Sequence, residues 1–467
     1  MSKKKPIFEN IEITDIGAEG KALAKIDGRV IFVRGGIPGD VMDIQITKKR
    51  RKYMEGIPLH IYKHGDMRVE PFCKHFGICG GCKWQHLEYT KQLEYKQKQV
   101  AEQFHHIGNL CIPDINPILS APENQYYRNK LEFTFSNRRY LLKEEIENNN
   151  QIEQSDALGF HVTGLYDKVV NIEHCYLQKP PSNDIRNKLK SFADKEQLPF
   201  FDIRNQTGFL RNLIIRTSSL NDVMVIVSFF YDEKNQIAKV MNFLSDTFPE
   251  INSLMYVINP GGNDNITGLE VKSWKGNPYI HEKIEHLTYQ IGPTSFYQTN
   301  SQQVVNLYKK IKEFAGLKGN ETVYDLYTGI GTIALYLADA AKKVIGIESV
   351  HEAVGNARIN ASLNNISNAE FFTGDMKDIL TSSFIRETGT PDIIILDPPR
   401  AGVHPGVINT LLKAAPDKII YVSCNPATQA RDINMLGNQY KISTLQPVDM
   451  FPHTHHLENI SLLIKNI

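Results

Sequence analysis

The chain has 467 residues, 41% of them hydrophobic, with 53 Lys and Arg against 52 Asp and Glu for a formal net charge of +1. That length exceeds one typical core and predicts two to three domains. No apolar run reaches the length of a membrane span, and the even charge balance excludes a globally basic nucleic-acid binder, so only local charge can mark such a surface. The first residues, Met1-Ser2-Lys3-Lys4-Lys5, lack the apolar stretch of a signal peptide. A cytoplasmic location is therefore expected, with the six cysteines reduced unless they hold a metal.

Up to about residue 65 the chain reads as short strands broken by glycine: residues 8–13, 20–26, 29–33, 41–48 and 53–62. Turns are expected at Asp27-Gly28 and at Ile37-Pro38-Gly39-Asp40. Five short antiparallel strands predict a small barrel of the oligonucleotide-binding type. Gly17-Ala18-Glu19-Gly20-Lys21-Ala22 and the stretch from Phe32-Val33 to Ile37-Pro38-Gly39-Asp40 make it resemble the TRAM domain of RNA-modifying enzymes. Lys48, Lys49, Arg50, Arg51 and Lys52 are five consecutive cations. They suit a solvated hairpin end or a phosphate contact.

A cysteine-rich loop follows. Five residues separate Cys73 from Cys79, and two separate Cys79 from Cys82. Gly77, Gly80 and Gly81 allow it to wrap a metal, and Cys175 is the expected distant fourth ligand. Four thiolates suit zinc or an iron–sulfur cluster, and the spacing favours neither. Cys111 is left over and is expected to be a plain buried thiol. Residues 88–106 predict a polar helix. Strands are expected at 130–136, 158–161, 213–218, 223–228 and 253–258, and a helix at 232–246. Residues 145–156 read as an exposed loop or hairpin tip. Residues 66–286 are thus expected to form a mixed α+β central domain carrying the cysteine loop.

From about 287 the pattern changes to alternating helix and strand. Helices are expected at 302–316, 333–340 and 352–364. Strands are expected at 321–326, 343–348, 369–373, 391–396 and 418–423. This alternation predicts a doubly wound, Rossmann-like parallel sheet over residues 287–467. Residues 440–449 and 459–465 are candidates for a closing antiparallel pair.

Asp325-Leu326-Tyr327-Thr328-Gly329-Ile330-Gly331 falls where a strand should turn into a helix. Two glycines there let the backbone turn sharply and approach a ligand. Glu348 ends the next strand, where an acid typically binds ribose hydroxyls. The third glycine of the dinucleotide fingerprint is missing, which favours S-adenosylmethionine over NAD. Asp397-Pro398-Pro399-Arg400 follows another strand end and should face the same crevice. Amine methyltransferases carry an aromatic residue at the position of Arg400, so exocyclic-amine chemistry is not expected.

Cys424, in Ser423-Cys424-Asn425-Pro426, ends the neighbouring predicted strand, beside Asp397. Glu458 follows His453-Thr454-His455-His456-Leu457. The histidines invite a metal reading, but no fourth ligand group is evident, and positioning of Glu458 or phosphate contact is expected instead. Carbon 5 of a pyrimidine is a poor nucleophile, and attack on carbon 6 must precede its alkylation. A thiolate suits that attack. A separate base must then remove the proton on carbon 5.

With Phe296-Tyr297-Gln298-Thr299-Asn300 and Asp325-Leu326-Tyr327, these motifs make the chain resemble the RNA uracil-5-methyltransferase family. The resemblance implies that Cys424 attacks carbon 6 and that Glu458 takes the carbon 5 proton. Asp397 would orient the uracil edge. Gln298, Tyr327, Glu348 and Asp397 would line the S-adenosylmethionine site, with Thr332 and Asp375 as further candidates. Phe296 could stack on the flipped base, and Arg128, in Tyr126-Tyr127-Arg128-Asn129-Lys130, would contact RNA. Related enzymes carry a [4Fe–4S] cluster on this cysteine spacing, which is preferred here over zinc. Thr328 departs from the family, where cysteine is common, as do Leu457 and Asn459-Ile460 around the glutamate. The TRAM-like segment and the cysteine loop point to ribosomal RNA, 23S in particular, over transfer RNA. A non-catalytic RNA-binding or RNA-folding protein is the alternative of another class. No membrane contact or obligate protein partner is expected.

Overall fold

The computed structural model describes residues 5–147 and 156–466. Strands Ile7–Glu12, Asp15–Ile16, Ala22–Ile26, Arg29–Val33, Val41–Lys49 and Tyr53–Lys63 form one six-stranded sheet. Alternation over the first six residues of Val41–Lys49 turns Met42, Ile44 and Ile46 inward, against Ala24, Ile31 and Val33. The long hairpin is bulged at three points, which increases its twist. The strand expected from residue 20 begins at Ala22, because residues Ala18–Gly20 form a tight turn with Glu19 at φ 58°.

Asp40 holds this unit closed. Its buried carboxylate accepts from Ile37 N (2.8 Å), Gly65 N (2.9 Å) and Arg68 Nε (3.1 Å). Burial alone raises its pKa, but the bonds from Arg68, Gly65 and Ile37 outweigh it and leave the carboxyl below its ordinary value. The stabilisation is therefore present at neutral pH and is lost as pH falls through that lowered value. Asp40→Ala strands a partly buried guanidinium and two amides. It is expected to cost ~3 kcal/mol, read as a shift in the urea midpoint.

The central unit is a seven-stranded sheet. Its spatial order is Val271–Gly276, Ser253–Ile258, Val223–Phe229, Leu210–Thr217, Lys130–Ser136, Ala157–Val162 and Leu165–Asn171. Helices Ser182–Lys195 and Lys234–Thr247 pack together through stacked Phe192 and Phe243 rings. Of the loop expected at 145–156, residues 148–155 lie outside the described residues, and Lys143–Glu147 is a short helix.

The C-terminal sheet also has seven strands. The order is Ala369–Thr373, Lys343–Glu348, Thr322–Leu326, Ile393–Leu396, Lys418–Ser423, Glu458–Lys465 and Tyr440–Val448. The first five are parallel and the last two antiparallel. Ile393–Leu396 is buried at every position, as a strand covered on both faces must be. The polar helix Tyr89–His106 seals one face of this sheet, placing Val100 and Phe104 beside Ala430, Tyr440 and Leu445. No helix among the described residues is long and apolar enough to cross a membrane.

Candidate active site

Strand Thr322–Leu326 leaves the sheet through three left-handed residues, Tyr327 (φ 69°), Gly329 (φ 57°) and Gly331 (φ 83°), before helix Thr332–Ala338. Asp325 staples this loop. Its Oδ2 accepts from Thr328 Oγ1 (2.6 Å) and from Ala334 N in the first turn of the helix (3.0 Å). Burial pushes its carboxyl up to about 7. The sequence reading took Asp325 only as part of a motif. Its structural signal was an acid inside a strand that is otherwise apolar. Glu348 faces the same loop, accepting from Gly329 N (3.1 Å) and Val350 N (2.9 Å). Tyr327 N–H is held by Ile347 O (3.0 Å). Thr332 is engaged inside the fold, its Oγ1 accepting from Tyr308 (2.8 Å). Asp375 is exposed and caps the short helix Met376–Ile379.

Asp397 follows the middle strand. Its carboxyl is pushed up to about 7 by burial and then by the neighbouring Asp325. Cys424 and Glu458 meet through sheet register. Ser423 pairs with Asn459 as the last pair of the antiparallel ladder, which leaves Cys424, just past its strand, and Glu458, first in the next, at the same sheet end. Glu458 is buried, and its Oε2 has no hydrogen-bond partner. Burial, then Asp397, pushes its carboxyl well above the ordinary range, and Arg400 opposes this. The half-buried Cys424 thiol is pushed up to about 11 by burial and then by Glu458, and Arg400 again opposes the rise. In sequence Arg400 argues against amine chemistry and belongs to the Asp397-Pro398-Pro399-Arg400 motif; in the structure it is the cation that opposes the rise at both Cys424 and Glu458. Asn425 Nδ2 and Thr428 Oγ1 hold its carbonyl at 3.1 and 3.2 Å.

Gln298 is buried, while Phe296, in the same irregular segment, is 70% exposed. Such an exposed aromatic ring is free to stack on a ligand. The His455 and His456 rings lie 4.0 Å apart, and His456 Nδ1 is 3.4 Å from Arg400 Nη2. Gly20, in the Ala18–Gly20 turn of the N-terminal unit, approaches this pair so closely that a Cβ there would lie 2.6 Å from His455 Cβ. Lys48, Lys49, Arg50, Arg51 and Lys52 form the exposed tip of the long hairpin, where Lys48 pairs with Glu55 at 3.6 Å. That placement fits the solvated reading equally well.

Cys73, Cys79, Cys82 and Cys175 line one cavity of about 120 Å³, together with Arg128 and Thr454. Arg128 also lies over the rings of Tyr127 and Phe451. The loop is fixed by Gly80 N to His161 O (3.0 Å), and Cys175 by a two-way amide exchange with Asn183. Burial pushes the thiols up, Cys79 to about 11 and Cys82 to about 12, and the other cysteines add repulsion. Among the described residues no three His, Cys, Asp or Glu side chains stand close enough to hold a metal ion directly. The four thiols thus share a cavity without forming a closed ligand set. Cys111 is exposed, contrary to expectation, because it lies in the irregular segment after the Tyr89–His106 helix.

Residues 276–466 match the family described as tRNA (Uracil-5-)-methyltransferase, and residues 9–59 match the TRAM domain. An uncharacterized RNA methyltransferase of Bacteroides thetaiotaomicron is 51% identical, over 96% of this chain and 99% of that protein. Another, from Porphyromonas gingivalis, is 49% identical over 98% and 100%. Among solved structures, the Pyrococcus abyssi tRNA (uracil-54, C5)-methyltransferase in complex with S-adenosyl-L-homocysteine superposes with a TM-score of 0.75. It is 28% identical, and the match covers 97% of this chain and 99% of that one. An N-terminal TRAM domain, a Rossmann-like C-terminal domain and full-length relatives therefore agree: the chain is an S-adenosylmethionine-dependent RNA methyltransferase and belongs to the RNA uracil-5-methyltransferase family.

Proposed function

We propose that this enzyme methylates carbon 5 of a uridine in RNA through a covalent adduct between Cys424 and carbon 6. The observation that carries this reading is a half-buried thiol and a buried carboxyl with an unpartnered oxygen at the same end of two neighbouring strands. The Cys424 sulfur adds to carbon 6, and the electron pair moves toward oxygen 4. Bound S-adenosylmethionine would supply an electrophilic methyl group to carbon 5, its methyl–sulfur bond breaking to leave S-adenosyl-L-homocysteine. Glu458 accepts the proton from carbon 5, the carbon 5–carbon 6 double bond re-forms, and the thiolate leaves. Thiolate and Glu458 carboxylate oppose each other's charge while both are free. Addition turns the sulfur into a neutral thioether and ends that opposition, while burial and Asp397 continue to hold the Glu458 carboxyl high and Arg400 to oppose them. A carboxyl near 7, as on Asp397, can donate to oxygen 4 in its protonated form.

The loop after Asp325 and the Glu348 carboxylate have the form of a S-adenosylmethionine cradle, to which Gln298, Tyr327 and Asp397 contribute. Gly331 is central to it. A Cβ there would meet Ala357 Cβ and the Phe371 ring at 3.1 Å, at a φ of +83°. A non-glycine left-handed residue costs ~1–2 kcal/mol. Gly331→Ala is expected to weaken S-adenosylmethionine binding about tenfold by calorimetric titration. Because the thiol must ionise to add, kcat/KM is expected to rise with pH from about 7 to about 9. A flat profile across that range would mean that something other than the raised thiol limits the rate.

For the four cysteines that line this cavity, a [4Fe–4S] cluster is preferred over one zinc ion on the cysteine spacing of related enzymes. Such a cluster would be held by Cys73, Cys79, Cys82 and Cys175 and would brace the loop without entering the methyl transfer. The substrate we propose is ribosomal RNA. A second reading, transfer RNA, has a specific observation in its favour: the likeness to the Pyrococcus enzyme runs through the TRAM and cysteine segments as well. Those two parts alone therefore do not select ribosomal RNA. Cells lacking this gene decide the matter when 5-methyluridine is quantified by mass spectrometry in each RNA class. Loss from ribosomal RNA is the expected result. Loss from transfer RNA alone overturns the substrate and keeps the chemistry. No loss from either favours an RNA-binding protein that keeps the fold.

A further inference from the structure

The Tyr89–His106 helix is polar in sequence, yet it turns Tyr89, Gln92 and Lys96 inward on one face, at i, i+3 and i+7. Gln92 and Lys96 are fully buried. Lys96 Nζ donates to Asp449 Oδ1 (2.5 Å) and to Phe451 O (3.0 Å). Tyr89 OH donates to Asp449 Oδ2 (2.8 Å), and Phe451 N donates to Asp449 Oδ1 (3.1 Å). Gln92 Oε1 accepts from His453 N (2.9 Å), while its amide nitrogen donates to Trp84 O and Leu87 O. His453 O in turn accepts from Lys83 N (2.8 Å) and Trp84 N (3.0 Å).

These bonds converge on residues 449–453, the segment that joins strand Tyr440–Val448 to Glu458. The segment has no sheet ladder of its own, and His453 holds a left-handed φ of 62°. Besides short-range bonds of its own, such as Thr454 N to Phe451 O, it is held by outside groups, which also include Tyr127 OH to Pro452 O (3.0 Å) and Asn300 Nδ2 to Met450 O (3.2 Å). A buried ammonium–carboxylate pair is costly to desolvate, and well-packed apolar residues would fill the same space as stably. Packing alone therefore does not account for it.

We propose that Tyr89, Gln92, Lys96 and Asp449 form a positioning clamp that sets the reach of Glu458 toward carbon 5, and so controls release of the adduct. The proposal rests on the covalent reading above. Lys96→Met alone leaves a buried carboxylate unpaired and can unfold the chain, so the test uses Lys96→Met/Asp449→Leu. The full chain, S-adenosylmethionine and an unlabelled target RNA are mixed in a single turnover, and the denaturation-resistant RNA–protein adduct is followed in time. The expected result is wild-type adduct formation with release slowed about 100-fold, the scale of a misplaced catalytic group. RNA affinity and the melting temperature should stay near wild type. Equal slowing of formation and release, or wild-type release in the folded double variant, overturns the clamp. If the double variant does not fold, Tyr89→Phe carries the same test, with release slowed about tenfold by loss of one bond to a charged group. Glu458→Gln is the reference. Adduct build-up there with normal release in the clamp variants overturns the clamp alone. No adduct in any variant overturns the covalent reading, and the clamp with it.

Discussion

Cys424→Ala is expected to lose methyl transfer by ~10⁴-fold or more, the scale seen when a nucleophile is removed. Folding and RNA affinity should be nearly unchanged. The side chain is only half-buried at the end of strand Lys418–Ser423, and its truncation opens no core cavity. The measurement is incorporation of labelled methyl into RNA, alongside RNA binding by filter retention. Active Cys424→Ala would sink the covalent mechanism, because no other thiol lies at this sheet end. Cys111 is exposed elsewhere, and the other four cysteines line the separate cavity.

Glu458→Gln is expected to give a different signature: turnover falls ~10³-fold or more, while the RNA–protein adduct accumulates. The amide keeps the volume of the buried side chain but cannot take the carbon 5 proton. It also removes the carboxylate that opposes the Cys424 thiolate, so the thiol should ionise more easily and the adduct should form at least as fast. A denaturing gel separates the two predictions, since Cys424→Ala leaves no adduct and Glu458→Gln leaves a stable one. Glu458→Gln without adduct, together with lost activity, would move the glutamate from the elimination step to an earlier one.

Much of the fold was legible from pattern. Strands Arg29–Val33, Lys130–Ser136, Ser253–Ile258, Lys343–Glu348, Ala369–Thr373 and Lys418–Ser423 were read with their observed ends. Each is an apolar or alternating run bounded by turn residues or charges, which is a local signal. Local signals did not disclose where the Tyr89–His106 helix goes. Its surface is polar because its buried partners, Asp449 and His453, are polar too, and they lie more than 350 residues along the chain. Cys111 failed for the opposite reason: thiol composition favours burial, but an irregular segment on the surface decided the matter.

By itself the sequence determined the residue types that can do this chemistry, a thiol, an acid and a glycine-rich strand-to-helix turn, and the order in which they come. Those follow from covalent chemistry and short-range backbone preference, both written locally. Only the tertiary structure decided that Cys424 and Glu458 share one sheet end, through the register Ser423 with Asn459. Only it decided that Arg400 opposes the rise of both Cys424 and Glu458, and that four cysteines from two segments share one cavity. Register and burial set distance and dielectric. These depend on residues remote in sequence, and they turn a list of reactive groups into a site.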